Sequence, residues 1–203
     1  MNQLLEYEKK LWNEYNFIAG VDEVGRGCLA GPVVAGVVIL PKSDNILSKL
    51  KYVNDSKLLS SKKRRELFSI IQESAIDYGV GIVSANVIDQ INILQATFLS
   101  MRRALASLSS EYNYILVDGN KTIPRVDTAQ MCIIKGDSKS LSIAAASILA
   151  KVIRDEIMIE IDKNYVGFSF EKHKGYGTKI HIEAIKKFGL TDIHRVSFCK
   201  NFS

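Results

Sequence analysis

Two adjacent carboxylates end the first apolar run of this chain, in the stretch GVDEVGRGCLAGPVVAGVVIL from Gly20 to Leu40. Asp22 and Glu23 interrupt what otherwise reads as a buried β-strand, and a second apolar run follows several glycines. Burying two charges without a partner is costly. The sequence therefore predicts a strand whose end lies at the border of the core, where the acids meet water or a cation.

The composition is that of an ordinary globular protein. The 203 residues are 47% hydrophobic and 24% charged, which suits a single domain spanning 1–203. The longest apolar run covers about half of a bilayer, so we expect no membrane span, and the N-terminus lacks the pattern of a signal peptide. Three scattered cysteines fit neither a disulfide framework nor a metal knuckle. We expect a reduced, cytoplasmic, monomeric protein.

The basic residues are concentrated in two regions of a chain whose net charge is +5. From Lys49 to Arg65 there are seven Lys or Arg against one acid, and from Asp162 onward eight against four. A solvated helix face would explain the first region alone. Two basic stretches flanking an acidic site instead suggest a polyanion bound by its backbone. We expect 162–203 to form a helical and loop appendage that binds this substrate.

Apolar runs of strand length alternate with helical patterns. The predicted strands are Phe17 to Val21, Val33 to Leu40, Ala75 to Ala85, Tyr114 to Val117 and Ala129 to Ile134. The predicted helices are Ser60 to Ser74, Asn92 to Leu108, Leu141 to Ile161 and Ile180 to Phe188. This order predicts an α/β fold: a five-stranded mixed sheet, first antiparallel and then parallel, flanked by helices and followed by a C-terminal helical segment.

Four carboxylates fall where three of these strands end. Asp22 and Glu23 close the first strand, Asp118 closes the fourth, and Asp137 follows the fifth. Alone, Asp118 reads as a turn residue and Asp137 as a helix cap. Together at neighbouring strand ends they would repel strongly unless a cation held them. Since no Cys or His joins the set, hard oxygen ligands indicate Mg²⁺ or Mn²⁺, and two such ions about 3.5–4 Å apart clamp a phosphodiester during hydrolysis.

Several motifs together resemble a known family. They are GVDEVGRGCLAGPVVAGVVIL, DSKLLS, NILQATFLSMRRAL, VDGN, KGDSKSLSIAAASILAKVIRD, HKGYGTKIHIEAI and HRVSF. From Phe17 to Phe198 the chain resembles the bacterial type 2 ribonuclease H family, ribonuclease HII. The resemblance implies a ribonuclease H-like fold and cleavage of RNA in RNA–DNA hybrids. It also implies cleavage 5′ of single ribonucleotides in duplex DNA, which removes them and leaves 3′-hydroxyl and 5′-phosphate ends.

The resemblance also implies an active site with two Mg²⁺ or Mn²⁺ ions. The family's four active-site acids match Asp22, Glu23, Asp118 and Asp137. Asp155 competes for the fourth role, but it lies well inside the long predicted helix, where Lys151 or Arg154 can pair with it. We interpret Asp155 as mainly structural.

The glycines after the acid pair match the family's ribose-sensing loop. Gly25, Arg26 and Gly27 form this loop, and the resemblance implies that its backbone contacts the 2′-hydroxyl while Arg26 lies near a phosphate. Glycine permits a close backbone approach, and the 2′-hydroxyl both donates and accepts hydrogen bonds. The alternative interpretation is that these are merely turn glycines.

A tyrosine between two glycines completes the expected substrate contacts. Tyr176 matches the family's stacking tyrosine, which packs on the nucleotide beside the ribonucleotide; a structural tyrosine is the alternative. We expect Lys57 and Lys174 to contact the nucleic-acid backbone. Ser142 and Ser147 either contact that backbone or serve tight helix packing. The three histidines lack metal-ligand spacing and are interpreted as packing or phosphate contacts.

Two other functions stay open at this point. A non-catalytic nucleic-acid-binding module on the same fold would have lost one or more of the acids, and all are present. A resolvase-like or transposase-like nuclease shares the metal chemistry but needs neither the ribose-sensing loop nor the tyrosine. The adjacency of Asp22 and Glu23 differs from type 1 relatives, and type 3 relatives carry an additional N-terminal domain.

Overall fold

The structure, a computed structural model, describes residues 3–53 and 59–202. Its sheet has the order β3-β2-β1-β4-β5. The strands are β1 (Ile18–Val24), β2 (Val33–Ile39), β3 (Asp77–Val83), β4 (Tyr114–Asp118) and β5 (Ala129–Ile133). The helices are α1 (Glu6–Leu11), α2 (Asn45–Lys49), α3 (Ser61–Ser74), α4 (Ala85–Ala106), α5 (Leu141–Asp162), α6 (Phe170–His173), α7 (Lys179–Phe188) and α8 (Val196–Cys199). None of the helices in these two ranges combines the length and hydrophobicity that a membrane span needs.

The strand directions confirm the predicted mixed sheet. β1 is antiparallel to β2 and β2 to β3, whereas β4 is parallel to β1 and β5 is parallel to β4. In the register of β1 and β4, Val21 lies beside Val117, so Asp22 and Asp118 follow side by side. The change from antiparallel to parallel pairing therefore occurs at β1, where functional groups gather in open α/β sheets.

Helices cover both faces of the sheet. Helix α4 packs on one face through a core that includes Phe98 and Met101, and α5 packs on the other beside α3 and α1. Helix α5 approaches closely because β1 carries a glycine: a Cβ on Gly20 would lie 2.3 Å from the backbone carbon of Ser142. The Ala-rich first half of α5 is thus required by the packing.

Serine side chains cap the two long helices α3 and α5. Ser60 caps α3, and its side chain accepts a hydrogen bond from Lys63 N at 3.2 Å. Helix α5 is capped by Ser140, which accepts from Ile143 N at 3.3 Å. Asp137 lies earlier, in the 3₁₀ turn Gly136–Ser138, so it does not serve as that helix cap.

Helix α4 begins before the predicted start at Asn92. It is interrupted there, because Asn92 has φ 65° and ψ 164°, and its side-chain oxygen accepts hydrogen bonds from Leu94 N and Gln95 N. The predicted helix, Asn92 to Leu108, corresponds to the second half of α4, where Phe98, Met101 and Leu105 are buried. The prediction missed the first half because the interruption at Asn92 separates it from the apolar residues of the second half.

The segment after α5 forms its own apolar cluster. Phe168 and Phe170 stack with ring centroids 5.2 Å apart and pack with Met158 of α5 and Leu29 of the loop after β1. The three histidines lie within this region, each at most 8% exposed, and none lines the cleft at the ends of β1 and β4. The division of the chain into a single domain with an appendage at 162–203 remains a prediction.

We expect acid to destabilise this cluster. Burial lowers the pKa of His181 to about 4, whereas an unfolded histidine titrates near pH 6.5. The unfolded chain therefore binds more protons, and stability falls as the pH drops from about 6.5 toward 4, by about 2 kcal/mol between pH 7 and pH 5.

Urea unfolding at pH 7 and pH 5 measures this loss. The raised pKa of Asp22 gives a slope of opposite sign, so the comparison is with a His181→Gln variant, which retains the carboxylates. A smaller loss in the variant is expected. Equal losses in both proteins would show that His181 does not set the pH dependence.

Candidate active site

A cleft of about 360 Å³ opens where β1 and β4 end. Its lining includes all four predicted acids, Asp22, Glu23, Asp118 and Asp137. Gly25, Arg26 and Tyr176 line the same cleft. The fold therefore gathers seven of the nine predicted site residues that the structure describes, and these come from four separate parts of the chain.

The two adjacent acids, Asp22 and Glu23, both have raised pKa values. Asp22 is 6% exposed, and burial, followed by the charges of Glu23 and Asp118, raises its pKa well above the usual value. Burial also raises the pKa of Glu23, while Arg26 opposes this shift through an ion pair of 3.1 Å. Concentrating carboxylates in this way favours a bound cation.

Hydrogen bonds orient the acids. Asp22 Oδ1 accepts from Glu23 N at 2.7 Å, and a hydrogen bond from Ser147 of α5 lowers the pKa of Asp22 against the effect of burial. Asp118 Oδ1 accepts from Gly136 N at 2.6 Å. This last bond ties the end of β4 to the turn that carries Asp137.

The two glycines of the predicted ribose-sensing loop differ in the space that the protein leaves for a side chain. Gly25 has φ +92°, and a Cβ there would lie 2.2 Å from Nε of Arg154. A Cβ on Gly27 would meet nothing within 4 Å. The fold itself therefore requires glycine at position 25. At position 27 the fold leaves room for a side chain, so a requirement for glycine there would come from outside the fold.

Two buried arginines donate hydrogen bonds to backbone carbonyls of the loops beside the cleft. Arg154 donates to Pro32 O at 2.9 Å and to Lys174 O at 2.8 Å. Arg195 donates to Arg26 O at 2.9 Å. Both arginines are 0% exposed. The loop after β1 and the loop before α7 are thereby held in one arrangement.

Tyr176 presents its ring at the rim of the cleft. It is 40% exposed, and its ring centroid lies 5.8 Å from Lys151 Nζ and 5.8 Å from Arg154 Cζ. Burial of the remaining part raises the pKa of the Tyr176 hydroxyl. A partly exposed ring held by two cations is a suitable surface for stacking.

Two of the described site residues, Gly27 and Lys174, do not line this cleft. Lys57 lies outside the described residues. Gly27 is exposed beyond the cleft lining. Lys174 lines an adjoining pocket of about 160 Å³ together with Arg64 and Asp155, and burial lowers the pKa of its ammonium group.

Asp155 is engaged in ion pairs. Its carboxylate oxygens lie 2.6 Å from Lys151 Nζ and 3.8 Å from Arg64 Nη2. It lines the adjoining pocket and not the cleft with the four acids. This position agrees with a structural role that orients two cations.

Arg64, Ser147 and Lys151 also line the cleft. From the sequence, Arg64 had no role in the site, Lys151 was expected only as a partner of Asp155, and Ser147 was one of two serines expected either to contact the nucleic-acid backbone or to serve helix packing. Ser147 and Lys151 are four residues apart on α5, so they share one helix face. They are the two polar residues in the otherwise apolar stretch from Ile143 to Ile153, which is a usable signal. Arg64 lies in the first basic stretch, where the sequence does not distinguish which of several neighbouring Lys and Arg residues faces the site.

The mixed sheet of this order is the ribonuclease H-like fold of solved structures that this chain resembles, and carboxylates near the ends of adjacent strands suit metal-dependent hydrolysis of a phosphodiester. The family model described as Ribonuclease HII matches residues 19–201. The chain belongs to the ribonuclease HII family. It is therefore a ribonuclease H, an endonuclease that hydrolyses nucleic acid.

Curated relatives and solved structures agree with this assignment. The ribonuclease HII of Clostridioides difficile is 56% identical over 92% of this chain and 71% of its own length. That of Endomicrobium trichonymphae is 52% identical over 97% of this chain and 92% of its own length. The crystal structure of ribonuclease H2 from Pyrococcus horikoshii is 29% identical, with a TM-score of 0.73 and coverage of 89% and 93%. The predicted fold and enzyme class are confirmed, which removes the non-catalytic module as an alternative.

Proposed function

We propose that the chain hydrolyses the RNA strand of RNA–DNA hybrids and also cuts duplex DNA 5′ of single embedded ribonucleotides. The products carry a 3′-hydroxyl and a 5′-phosphate, and the cleavage serves ribonucleotide removal from DNA. One observation carries the proposal: the four acids, Gly25 and Arg26 of the predicted ribose-sensing loop, and Tyr176 line one cleft. Chemistry, sugar recognition and base stacking then act on neighbouring parts of one nucleic-acid strand.

The donor set fits two Mg²⁺ or Mn²⁺ ions. Asp22, Glu23, Asp118 and Asp137 offer only hard oxygen ligands. Within the described ranges no three such side chains already converge as an ion site, so the carboxylates have to turn toward the ions. When bound, the ions supply activation of a water and stabilisation of the leaving oxygen.

The protein's own residues hold the acids and the substrate. The amides of Glu23 and Gly136 donate to Asp22 and Asp118 through the hydrogen bonds already described, which limits how far these two carboxylates have to turn to meet an ion. Arg26 neutralises part of the charge of Glu23 and also faces the cleft, where it can reach a phosphate. Preoriented groups reduce the reorganisation needed at the reacting phosphate.

Cations around the cleft hold the nucleic-acid backbone. Arg64 and Lys151 line the cleft, and Lys174 lines the adjoining pocket, so this side of the site presents positive charge to a strand leaving the acids. Lys57 is proposed to add a further phosphate contact. Tyr176 stacks on the nucleotide beside the ribonucleotide.

The site and the cysteines suggest how the chain works in the cell. All four acids and Tyr176 come from one chain, which supports a monomeric enzyme. The three cysteines are free, and Cys28 and Cys199 are buried. Free thiols suit a reducing compartment, so we propose that the protein is cytoplasmic.

Gly27→Ala should impair cleavage without impairing folding. The new methyl group meets nothing in the protein within 4 Å, so we expect stability within about 0.5 kcal/mol of the wild type. If the loop backbone contacts the ribose, the methyl group displaces the sugar. Misplacement on this scale lowers the cleavage rate by about tenfold to a hundredfold.

Melting temperature and cleavage rate are measured on the same preparations of wild type, Gly27→Ala and Gly25→Ala. Gly25→Ala is the contrast, since its Cβ collides with Arg154 and should lower stability as well. A Gly27→Ala protein that cleaves at the wild-type rate would place the ribose elsewhere.

Removal of divalent metal tests the proposed chemistry. Chelated protein should leave an RNA–DNA hybrid intact, and Mg²⁺ or Mn²⁺ should restore cleavage. Without substrate, Mn²⁺ should raise the melting temperature, because the ions relieve repulsion among buried carboxylates. Full cleavage by chelated protein would contradict the two-ion proposal.

A further inference from the structure

One buried carboxyl outside the cleft has no part in the proposed chemistry. Glu8 of α1 is 1% exposed, and the matched family model begins only at residue 19. Glu8 Oε2 has no hydrogen-bond partner among the described residues, and burial raises the pKa of this carboxyl. A carboxyl buried in this way costs stability, and local exceptions of this kind tend to occur at functional positions.

The other oxygen of Glu8 holds the first turn of α5. Glu8 Oε1 accepts from Ser140 Oγ at 2.6 Å, from Ser142 N at 3.0 Å and from Ser142 Oγ at 2.7 Å. A carboxyl group at a helix N-terminus also interacts favourably with the helix dipole. Glu8 thus joins α1 to the start of α5, which lies 132 residues later in the sequence.

The same turn leads directly to two of the acids. Ser140 N donates to Gly136 O at 2.8 Å, and Gly136 N donates to Asp118 Oδ1 at 2.6 Å. Asp137 lies between Gly136 and Ser140 in the chain. A displacement of Ser140 is therefore transmitted through one short turn to both Asp118 and Asp137.

We infer that Glu8 is a positioning residue of the active site, which holds the turn 136–140 so that Asp118 and Asp137 keep their places. Its importance for ion binding rests on the proposed role of these two acids as ligands. Removing a group that orients a metal ligand typically lowers metal affinity or activity by about 10–100-fold. Because Glu8 acts through Ser140 and not on a ligand itself, we expect the lower end of this range, about tenfold.

The test compares Glu8→Ala with Leu5→Ala. Leu5 lies in the same N-terminal segment and is 1% exposed, so its truncation removes packing without removing the hydrogen bonds of Glu8. Two quantities are measured: hydrogen exchange of the Gly136 amide relative to amides of the central sheet, and the Mn²⁺ concentration that gives half-maximal cleavage. Glu8→Ala should raise both about tenfold, whereas Leu5→Ala should lower the melting temperature and leave both near wild type.

Glu8→Gln supplies the rescue, because it retains an oxygen that accepts from Ser140 and Ser142, and both quantities should return toward wild type. If Glu8→Ala does not fold, Ser142→Ala removes one donor to Glu8, and a smaller shift in the same direction is expected. Values for Glu8→Ala equal to those for Leu5→Ala would reduce Glu8 to a packing residue and overturn the inference. If the wild type does not cleave with Mn²⁺, the proposed function fails. Hydrogen exchange of the Gly136 amide in Glu8→Ala and Leu5→Ala then decides by itself whether Glu8 holds the turn.

Discussion

Asp118→Asn should lower the cleavage rate by about a thousandfold or more, equivalent to about 4 kcal/mol of transition-state stabilisation. The amide retains the shape of the side chain, and its oxygen can still accept from Gly136 N, so the turn before α5 should stay in place. What is lost is the negative charge that binds the ions. The basic residues around the cleft are unchanged, so substrate affinity should remain close to wild type.

The matched control is Asp155→Asn. Asp155 is a carboxylate of α5 that pairs with Lys151 and does not line the acidic cleft, so we expect a rate within a few-fold of wild type. Asp137→Asn should behave like Asp118→Asn. Single-turnover rates and binding of a labelled duplex are measured for all three variants. Loss of activity in Asp155→Asn with retention in Asp137→Asn would exchange the roles assigned to these two residues.

Tyr176→Ala should lower cleavage by about ten- to hundredfold, with the larger loss on a lone ribonucleotide in DNA. The substitution retains all four acids, so the chemistry remains possible. It removes a stacking surface worth about 1–3 kcal/mol per base. At a lone ribonucleotide one junction must be held in register, whereas along a continuous hybrid many ribose positions can occupy the site in turn.

Rates on the two substrates at one salt concentration measure this difference. Tyr176→Phe retains the ring and should lose little. Tyr78→Ala removes an exposed tyrosine of β3, the strand at the sheet edge opposite β5, and should lose nothing. If Tyr176→Ala loses equally on both substrates, Tyr176 is a general contact and not a sensor of the junction. If it loses on neither, the tyrosine is structural.

Much of the fold was predictable because local patterns agree with the tertiary structure. The apolar, β-branched runs predicted all five strands, with boundaries that differ from the structure by three residues or fewer. The convergence of the acids also followed from the sequence, although β1 continues past the acid pair to Val24, so that Asp22 lies within the strand beside the end of β4 at Asp118. Acids at the border of an apolar run are a strong signal because a buried charge without a partner is costly.

The supporting contacts were not predictable, because they depend on how distant segments meet. Arg154 was considered only as a partner of Asp155, yet the structure directs it to backbone carbonyls of two loops. The difference between Gly25 and Gly27 likewise depends on a side chain more than a hundred residues away. Such bonds to the backbone leave no residue pattern, since every residue carries a carbonyl group.

The central claim is that this cleft cuts DNA at a single ribonucleotide, and mapping the products on one duplex tests it most directly. The substrate is a labelled DNA duplex with one ribonucleotide, incubated with the protein and Mg²⁺ or Mn²⁺ beside an all-DNA duplex of the same sequence. We expect a single cut 5′ of the ribonucleotide, with 3′-hydroxyl and 5′-phosphate ends, and no cut in the all-DNA duplex. An intact ribonucleotide duplex under conditions where an RNA–DNA hybrid is cleaved would contradict the claim, and so would cleavage of both duplexes.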